Sequence, residues 1–143
     1  MTPKQIELVQ QSWEHIVKNI PQAGEIFYGR LFDVNPQLRA MFSPDTKTQA
    51  QKLVHIITFA VKKLNTIEDV VSDVQSLGRR HGNYGVQPAH YAMVADSLLW
   101  TLEKGLGHLW TDEMRQSWTT LYATLAGIMM DASAAPVAKI SVI

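Results

Sequence analysis

An all-α fold is predicted by three features of the chain. Apolar residues recur at steps of three and four along each segment long enough to judge. No stretch alternates apolar and polar residues as a half-buried strand would. Helix starts and stops punctuate the segments, with Thr2-Pro3 and Gln87-Pro88 opening two of them and Gly105 and Gly107 closing one. At 143 residues with 46% hydrophobic side chains, the chain is expected to form one domain over 1–143, with room to bury a core and enclose a cofactor. Thirteen basic and thirteen acidic side chains cancel, which favours neither nucleic acid nor an anionic membrane as a partner. No apolar run approaches the ~20 residues of a membrane span, and MTPKQIELVQQSWEH lacks a signal-peptide core, so a cytoplasmic location is expected. With no cysteine, disulfides, cysteine zinc sites and thioether attachment of a prosthetic group are excluded together.

The elements follow in order. Thr2-Pro3-Lys4-Gln5 is a capping box with proline at the first helical position, and Ile6, Val9, Trp13, Ile16 and Val17 repeat at helical spacing up to Ile20. Pro21 opens a second helix in which Gly24, Tyr28, Leu31 and Phe32 share a face. Asn35-Pro36 ends it and begins a short turn carrying Leu38, Met41 and Phe42. After Ser43-Pro44-Asp45 a long helix runs from about Thr46 to Leu64, and Gln49, Leu53, Ile56, Ile57, Ala60 and Leu64 lie on one side of it. Asn65-Thr66 reads as the next cap, with Glu68 and Asp69 in the first turn where the helix dipole favours acids. That helix closes at His81. Gln87-Pro88 starts another, with Tyr91, Val94, Leu98 and Leu102 inward, and Thr111-Asp112-Glu113 caps the last, whose inner face carries Met114, Trp118, Leu121, Tyr122, Leu125, Ile128 and Met129. The tail from Ala132 to Ile143 is alanine-rich and contains Pro136; fraying and a subunit contact, hence a monomer or a homodimer, are both open.

Chemistry enters where polar residues interrupt these apolar faces. In DVQSLGRRHGNYGV (73–86) the face formed by Val70, Val74 and Leu77 ends in His81, immediately before Gly82. Tyr28 and Gln49 are the corresponding exceptions on two other helices. Each needs a hydrogen-bond partner if buried. Two readings fit: a shared polar spot in a dry interior, or separate residues bonded independently to backbone or water.

The same residues carry a family resemblance. Phe27-Tyr28 with Leu31-Phe32, Pro36, Phe42, Gln49 with Leu53, Leu77-Gly78-Arg79-Arg80-His81, Tyr84-Gly85-Val86, His90-Tyr91 and Trp118 with Tyr122 together resemble the globins. The chain is similar in particular to bacterial single-domain globins and flavohaemoglobin haem domains, and LGRRH to neuroglobin. The likeness covers about Lys4 to Met130, and the 32 residues between Gln49 and His81 (81 less 49) suit the family's spacing across the iron. It implies a three-over-three helical sandwich around haem b. His81 would be the iron ligand through its outer ring nitrogen, the inner N–H bonding back to a carbonyl such as that of Leu77. Phe42 would stack on the porphyrin, and Leu77, Val86 and Tyr91 would contact the haem or the surroundings of His81. Tyr28 and Gln49 would face the ligand site, with Leu53 setting its steric limit. O2 gains partial negative charge on binding, so each donor should stabilise it by about 1–3 kcal/mol, and CO by less. Gly24 and Ala50 are small where the second and fifth helices of the fold would cross. Lys52, Arg79 and Arg80 either pair with a haem propionate or are solvated surface residues. His55 is read as peripheral, His90 as a packing residue, and His15 and His108 as surface residues.

Two departures bear on function. Flavohaemoglobins place a glutamate late in the last helix against the iron-binding histidine, where this chain has Met129-Met130-Asp131-Ala132-Ser133, with serine nearest the place and Asp131 offset. Nor is there a G-x-G-x-x-G loop for FAD or NAD(P)H. The resemblance therefore implies first a reversible O2 binder for storage, delivery or sensing, at an iron either five-coordinate or weakly six-coordinate, that also takes CO and NO. The alternative is a nitric oxide dioxygenase served by a separate reductase. A haem-free module for partner binding is a third reading, which His81 and Phe42 oppose.

Overall fold

The computed structural model describes residues 1–83 and 85–142, the side chains of Asn83 and 134–142 excepted. Among the described residues there are six α-helices and three 3-10 turns and no strand. The backbone of the tail continues the last helix to Val142 and Ala132 is buried, whereas the side chains from 134 on, and with them the expectation of a subunit contact, lie outside the described residues. No described helix is long and apolar enough to cross a membrane.

Helix α1 (Pro3–Asn19) starts on the expected reciprocal cap: Thr2 Oγ1 accepts from the Gln5 N–H at 3.1 Å and Gln5 Oε1 from the Thr2 N–H at 2.9 Å. Val9, Trp13 and Ile16 are buried, whereas Val17 is 46% exposed, contrary to its expected inward place. It sits ~100° round the helix from Ile16, and Ile16 already fills the space beside Gly105. Helix α2 (Ala23–Val34) begins two residues after Pro21, and its backbone crosses α3 (Thr46–Lys62) closely. A Cβ on Gly24 would stand 2.7 Å from the Ala50 carbonyl oxygen and 2.8 Å from Ala50 Cβ, the close approach expected of this small pair.

Between α2 and α3 lie a 3-10 turn (Pro36–Met41) and a short corner ending at Asp45. The Asp45 carboxylate caps α3 by accepting from the Thr48 N–H at 3.1 Å and the Thr48 hydroxyl at 2.6 Å, bonds that lower its pKa.

The segment after α3 departs from expectation. Asn65-Thr66 is not a helix cap; α3 stops at Lys62, and Leu64–Asp69 forms a 3-10 turn interrupted at Thr66 (φ −137°, ψ 56°). The anchor there is Val70, fully buried, and α4 (Val71–Asn83) starts one residue later. Burial of one branched side chain outweighs the weak local preference for a polar cap. Helix α4 also continues past His81, and its end is closed by the Val86 N–H on the His81 carbonyl at 3.1 Å, with Gly85 at φ 80°. Helix α5 (Pro88–Leu106) ends at Gly107 (φ 54°), and α6 (Asp112–Val142) is capped by Thr111 Oγ1, which accepts from the Met114 N–H at 3.1 Å.

Long-range hydrogen bonds fasten the core. Trp118 Nε1 donates to Ser12 Oγ at 2.8 Å, Trp13 Nε1 to Thr58 Oγ1 at 2.9 Å, and the two indoles meet at 5.8 Å between centroids. Helix α2 packs on α3 and α5, and α4 packs on α6. Helices α3 and α4 share no comparable packing. The space between them is the site.

Candidate functional site

A cavity of about 660 Å³ opens between α3 and α4 and is floored by α2, α5 and α6. That size lies within the range of ligand and cofactor pockets. Its walls are mostly apolar: Ile56, Ile57 and Ala60 from α3, Val74 from α4, Val94 and Leu98 from α5, and Leu121, Leu125 and Met129 from α6. The residues singled out from the sequence, Tyr28, Phe42, Gln49, Lys52, Leu53, Leu77, Arg80, His81, Val86 and Tyr91, all line it. Tyr28, Gln49 and His81 all line this one cavity, and His81 also bonds to the backbone of its own helix. Arg79 and His55 do not line the cavity.

His81 is half-buried, and its Nδ1 lies 2.8 Å from the Leu77 carbonyl oxygen, one turn back. A carbonyl oxygen can only accept, so Nδ1 carries the proton here, and the neutral ring in this tautomer has its lone pair on Nε2. This is the state a metal-binding imidazole requires. The ring of Tyr91 lies near-parallel to it, 6.3 Å between centroids and 27° between planes. Tyr122 fixes the backbone there by donating its hydroxyl to the Tyr91 carbonyl at 2.7 Å.

Tyr28 belongs to an aromatic cluster at another part of the wall. Its ring meets Phe27 edge-on at 4.9 Å, Phe42 edge-on at 5.4 Å and Phe32 near-parallel at 5.8 Å. These contacts leave the residue 7% exposed, and burial pushes its hydroxyl up to about 12. Neither that hydroxyl nor the Gln49 amide has a hydrogen-bond partner among the described side chains and backbone, yet no fully buried polar atom is unsatisfied. Each polar group therefore keeps accessible surface, and both residues line the cavity. Lys52 and Arg80 are exposed cations on its two flanking helices.

His90 does more than pack. Its Nδ1 accepts the Gln87 N–H at 2.9 Å, capping α5, and its ring also lines the cavity. The residues not singled out beforehand, such as Val74, Leu121, Leu125 and Met129, were legible as inward-facing positions. Periodicity identifies the inward face of a helix and cannot tell a cavity wall from a filled core.

Comparison with known proteins bears on the same architecture. A family model described as globin matches residues 25–129. Neuroglobin from Tetraodon nigroviridis is 31% identical over 143 residues, covering 90% of each chain, and neuroglobin from Danio rerio is 29% identical with the same coverage. Among solved structures, the bacterial globin from Campylobacter jejuni superposes with a TM-score of 0.82 at 23% identity, covering 95% of this chain and 99% of its own. An engineered carbene transferase from Rhodothermus marinus, assigned as a nitric oxide dioxygenase, gives 0.87 at 21% identity and 99% coverage of both chains. With the family model spanning most of its length and a neuroglobin sharing nearly a third of its residues, the chain belongs to the globin family, whose cofactor is haem.

Proposed function

We propose that this globin binds haem b and takes up O2 reversibly, with His81 as the protein ligand to iron and Tyr28 and Gln49 as donors to the incoming gas. One observation carries the reading: a single cavity gathers a histidine with a free Nε2 lone pair and two polar groups, a phenol and an amide, that have no protein partner. The residues present fit the cofactor. The walls are apolar, Phe42 presents a ring to the cavity, and Lys52 and Arg80 offer one cation on each flanking helix for the two haem carboxylates. Bound haem supplies the iron that coordinates O2, CO or NO.

The chain's own contribution is positional and electrostatic. The Leu77 carbonyl holds the His81 ring in one tautomer. Tyr28, protonated up to about pH 12, remains a donor throughout the neutral range, and Gln49 adds a second. Leu53 limits the space beside them, while Leu77, Val86 and Tyr91 close the side of His81. Donors in a dry pocket favour the ligand that gains negative charge, O2 over CO.

The His81 side favours binding over nitric oxide dioxygenation with a separate reductase. His81 donates to a neutral carbonyl rather than a carboxylate. Asp131 is exposed, and the Ser133 hydroxyl is committed to the Met130 carbonyl at 2.9 Å. The stronger electron donation of a carboxylate-bound imidazole is thus not built in. Replacing Tyr28 with phenylalanine should speed O2 dissociation about ten-fold or more in stopped-flow measurements, with CO dissociation changed less. An O2 rate equal to that of the unaltered protein would refute the role given to the hydroxyl.

A further inference from the structure

The corner between the 3-10 turn and α3 has little hydrogen bonding of its own. Its backbone bonds are those of Phe42 N–H to the Arg39 carbonyl at 3.3 Å, Thr46 N–H to the Pro44 carbonyl at 3.0 Å and Gln49 N–H to the Asp45 carbonyl at 3.3 Å, and the Asp45 N–H donates to Ser43 Oγ at 3.2 Å. One side chain also reaches the carbonyls of Ser43 and Pro44, the latter shared with the Thr46 N–H. Arg39 Nη1 donates to Ser43 O at 3.1 Å and Nη2 to Pro44 O at 3.3 Å, so the guanidinium fork spans both.

The same guanidinium lies 5.1 Å from the centroid of Phe32. Phe32 meets Phe42 edge-on at 5.5 Å and lies near-parallel to Tyr28 at 5.8 Å, and Phe42 closes the triangle on Tyr28 at 5.4 Å. Arg39 therefore bonds the corner backbone through its two terminal nitrogens and places its guanidinium carbon over Phe32, a member of the aromatic cluster. It does not line the cavity. Phe42 itself is the first residue of the corner that this fork closes.

We infer that Arg39 is a positioning residue for the gas-binding side of the cavity: its guanidinium ties the corner 43–44 to the Phe32–Tyr28–Phe42 cluster and so holds the Tyr28 hydroxyl and the Phe42 ring in place. Lysine is a poor substitute, because one ammonium nitrogen cannot reproduce the two-nitrogen planar fork that reaches Ser43 O and Pro44 O while the guanidinium carbon lies over Phe32. The inference rests on the functional reading above for its effect on O2. Its effect on the corner is independent of that reading.

The test combines R39A, R39K and Y28F in the full chain. Amide hydrogen exchange, measured with and without haem, should show faster exchange at Phe42, Asp45 and Thr46 in R39A and R39K, with little change in α6. In the haem-loaded protein R39A should speed O2 dissociation about five-fold, R39K should restore little of the loss, and R39A in the Y28F background should add almost nothing, because Arg39 acts on O2 through the placement of the Tyr28 hydroxyl, which Y28F has already removed. Unchanged exchange at the corner, full rescue by R39K, or equal effects of R39A in the two backgrounds would each overturn the inference. Should Y28F leave O2 dissociation unaltered, the functional reading fails, and the exchange pattern still decides whether Arg39 is the clamp.

Discussion

Tyr28, the donor proposed for the bound gas, also bears on stability. Burial raises its pKa from about 10 when unfolded to about 12 when folded. The folded state therefore holds this proton more tightly, and its contribution to stability is complete below pH 10 and is lost as pH rises towards 12. A shift of two units corresponds to about 2–3 kcal/mol. Burial pushes Tyr122 and Tyr91 in the same direction. Denaturant titrations of the haem-free protein between pH 8 and 11.5 should show stability falling above pH 10, and Y28F should remove part of that slope; an identical slope in Y28F would mean that the hydroxyl is solvated. Tyr28, Gln49 and His81 were all legible in the sequence as polar residues interrupting apolar helical faces. Arg39 was not, because its partners are two backbone carbonyls and a ring face, which leave no mark on residue spacing.

Helices position these side chains through a few close backbone approaches. Gly78 sits three residues before His81, and a Cβ there would collide with the backbone of Met129 on α6, at its carbonyl oxygen and Cα. Gly82, just after His81, faces Ser133 in the same way, 2.8 Å from Ser133 Cβ. Since backbone cannot move aside as a side-chain tip can, alanine at 78 must push α4 away from α6. G78A should cost about 1–3 kcal/mol or more in chemical denaturation and weaken haem retention by displacing His81. Gly29 is the control. A Cβ there meets nothing within 4 Å, so G29A should be neutral or stabilise α2 by up to about 1 kcal/mol. Equal effects of the two alanines would remove the crossing from the account. The capping box of α1, the Pro88 start of α5 and the Thr111 cap of α6 were readable because they rest on neighbouring residues. The turn at Leu64–Asp69 was not, since burial of Val70, a tertiary matter, overrides the polar residues that mimic a cap there.

At the scale of the molecule, the cavity is a deficit that its occupant should repair. Apolar walls such as Ile56, 42% exposed, line the cavity between two helices that share little packing. A ligand that binds only the folded chain stabilises it in proportion to its excess over the dissociation constant. Haem at about one hundred times that constant should add about 2.7 kcal/mol, or roughly 5–10 °C in Tm for a chain of this size. Calorimetry with haem should show that rise in the unaltered chain and a much smaller one in H81A; equal rises would mean that His81 does not hold the cofactor.

The sequence by itself determined the helices, their inward faces and the three polar residues that interrupt them, because each of these depends on spacing within a few turns of one segment. Only the tertiary structure decided that the three line one cavity, that α3 and α4 stand apart around it, and that Arg39 bonds across its corner. The reason is physical: where helices cross is set by backbone contact between residues far apart in the chain, Gly24 on Ala50 and Gly78 on Met129. Those crossings place the side chains relative to one another, and no local pattern encodes them.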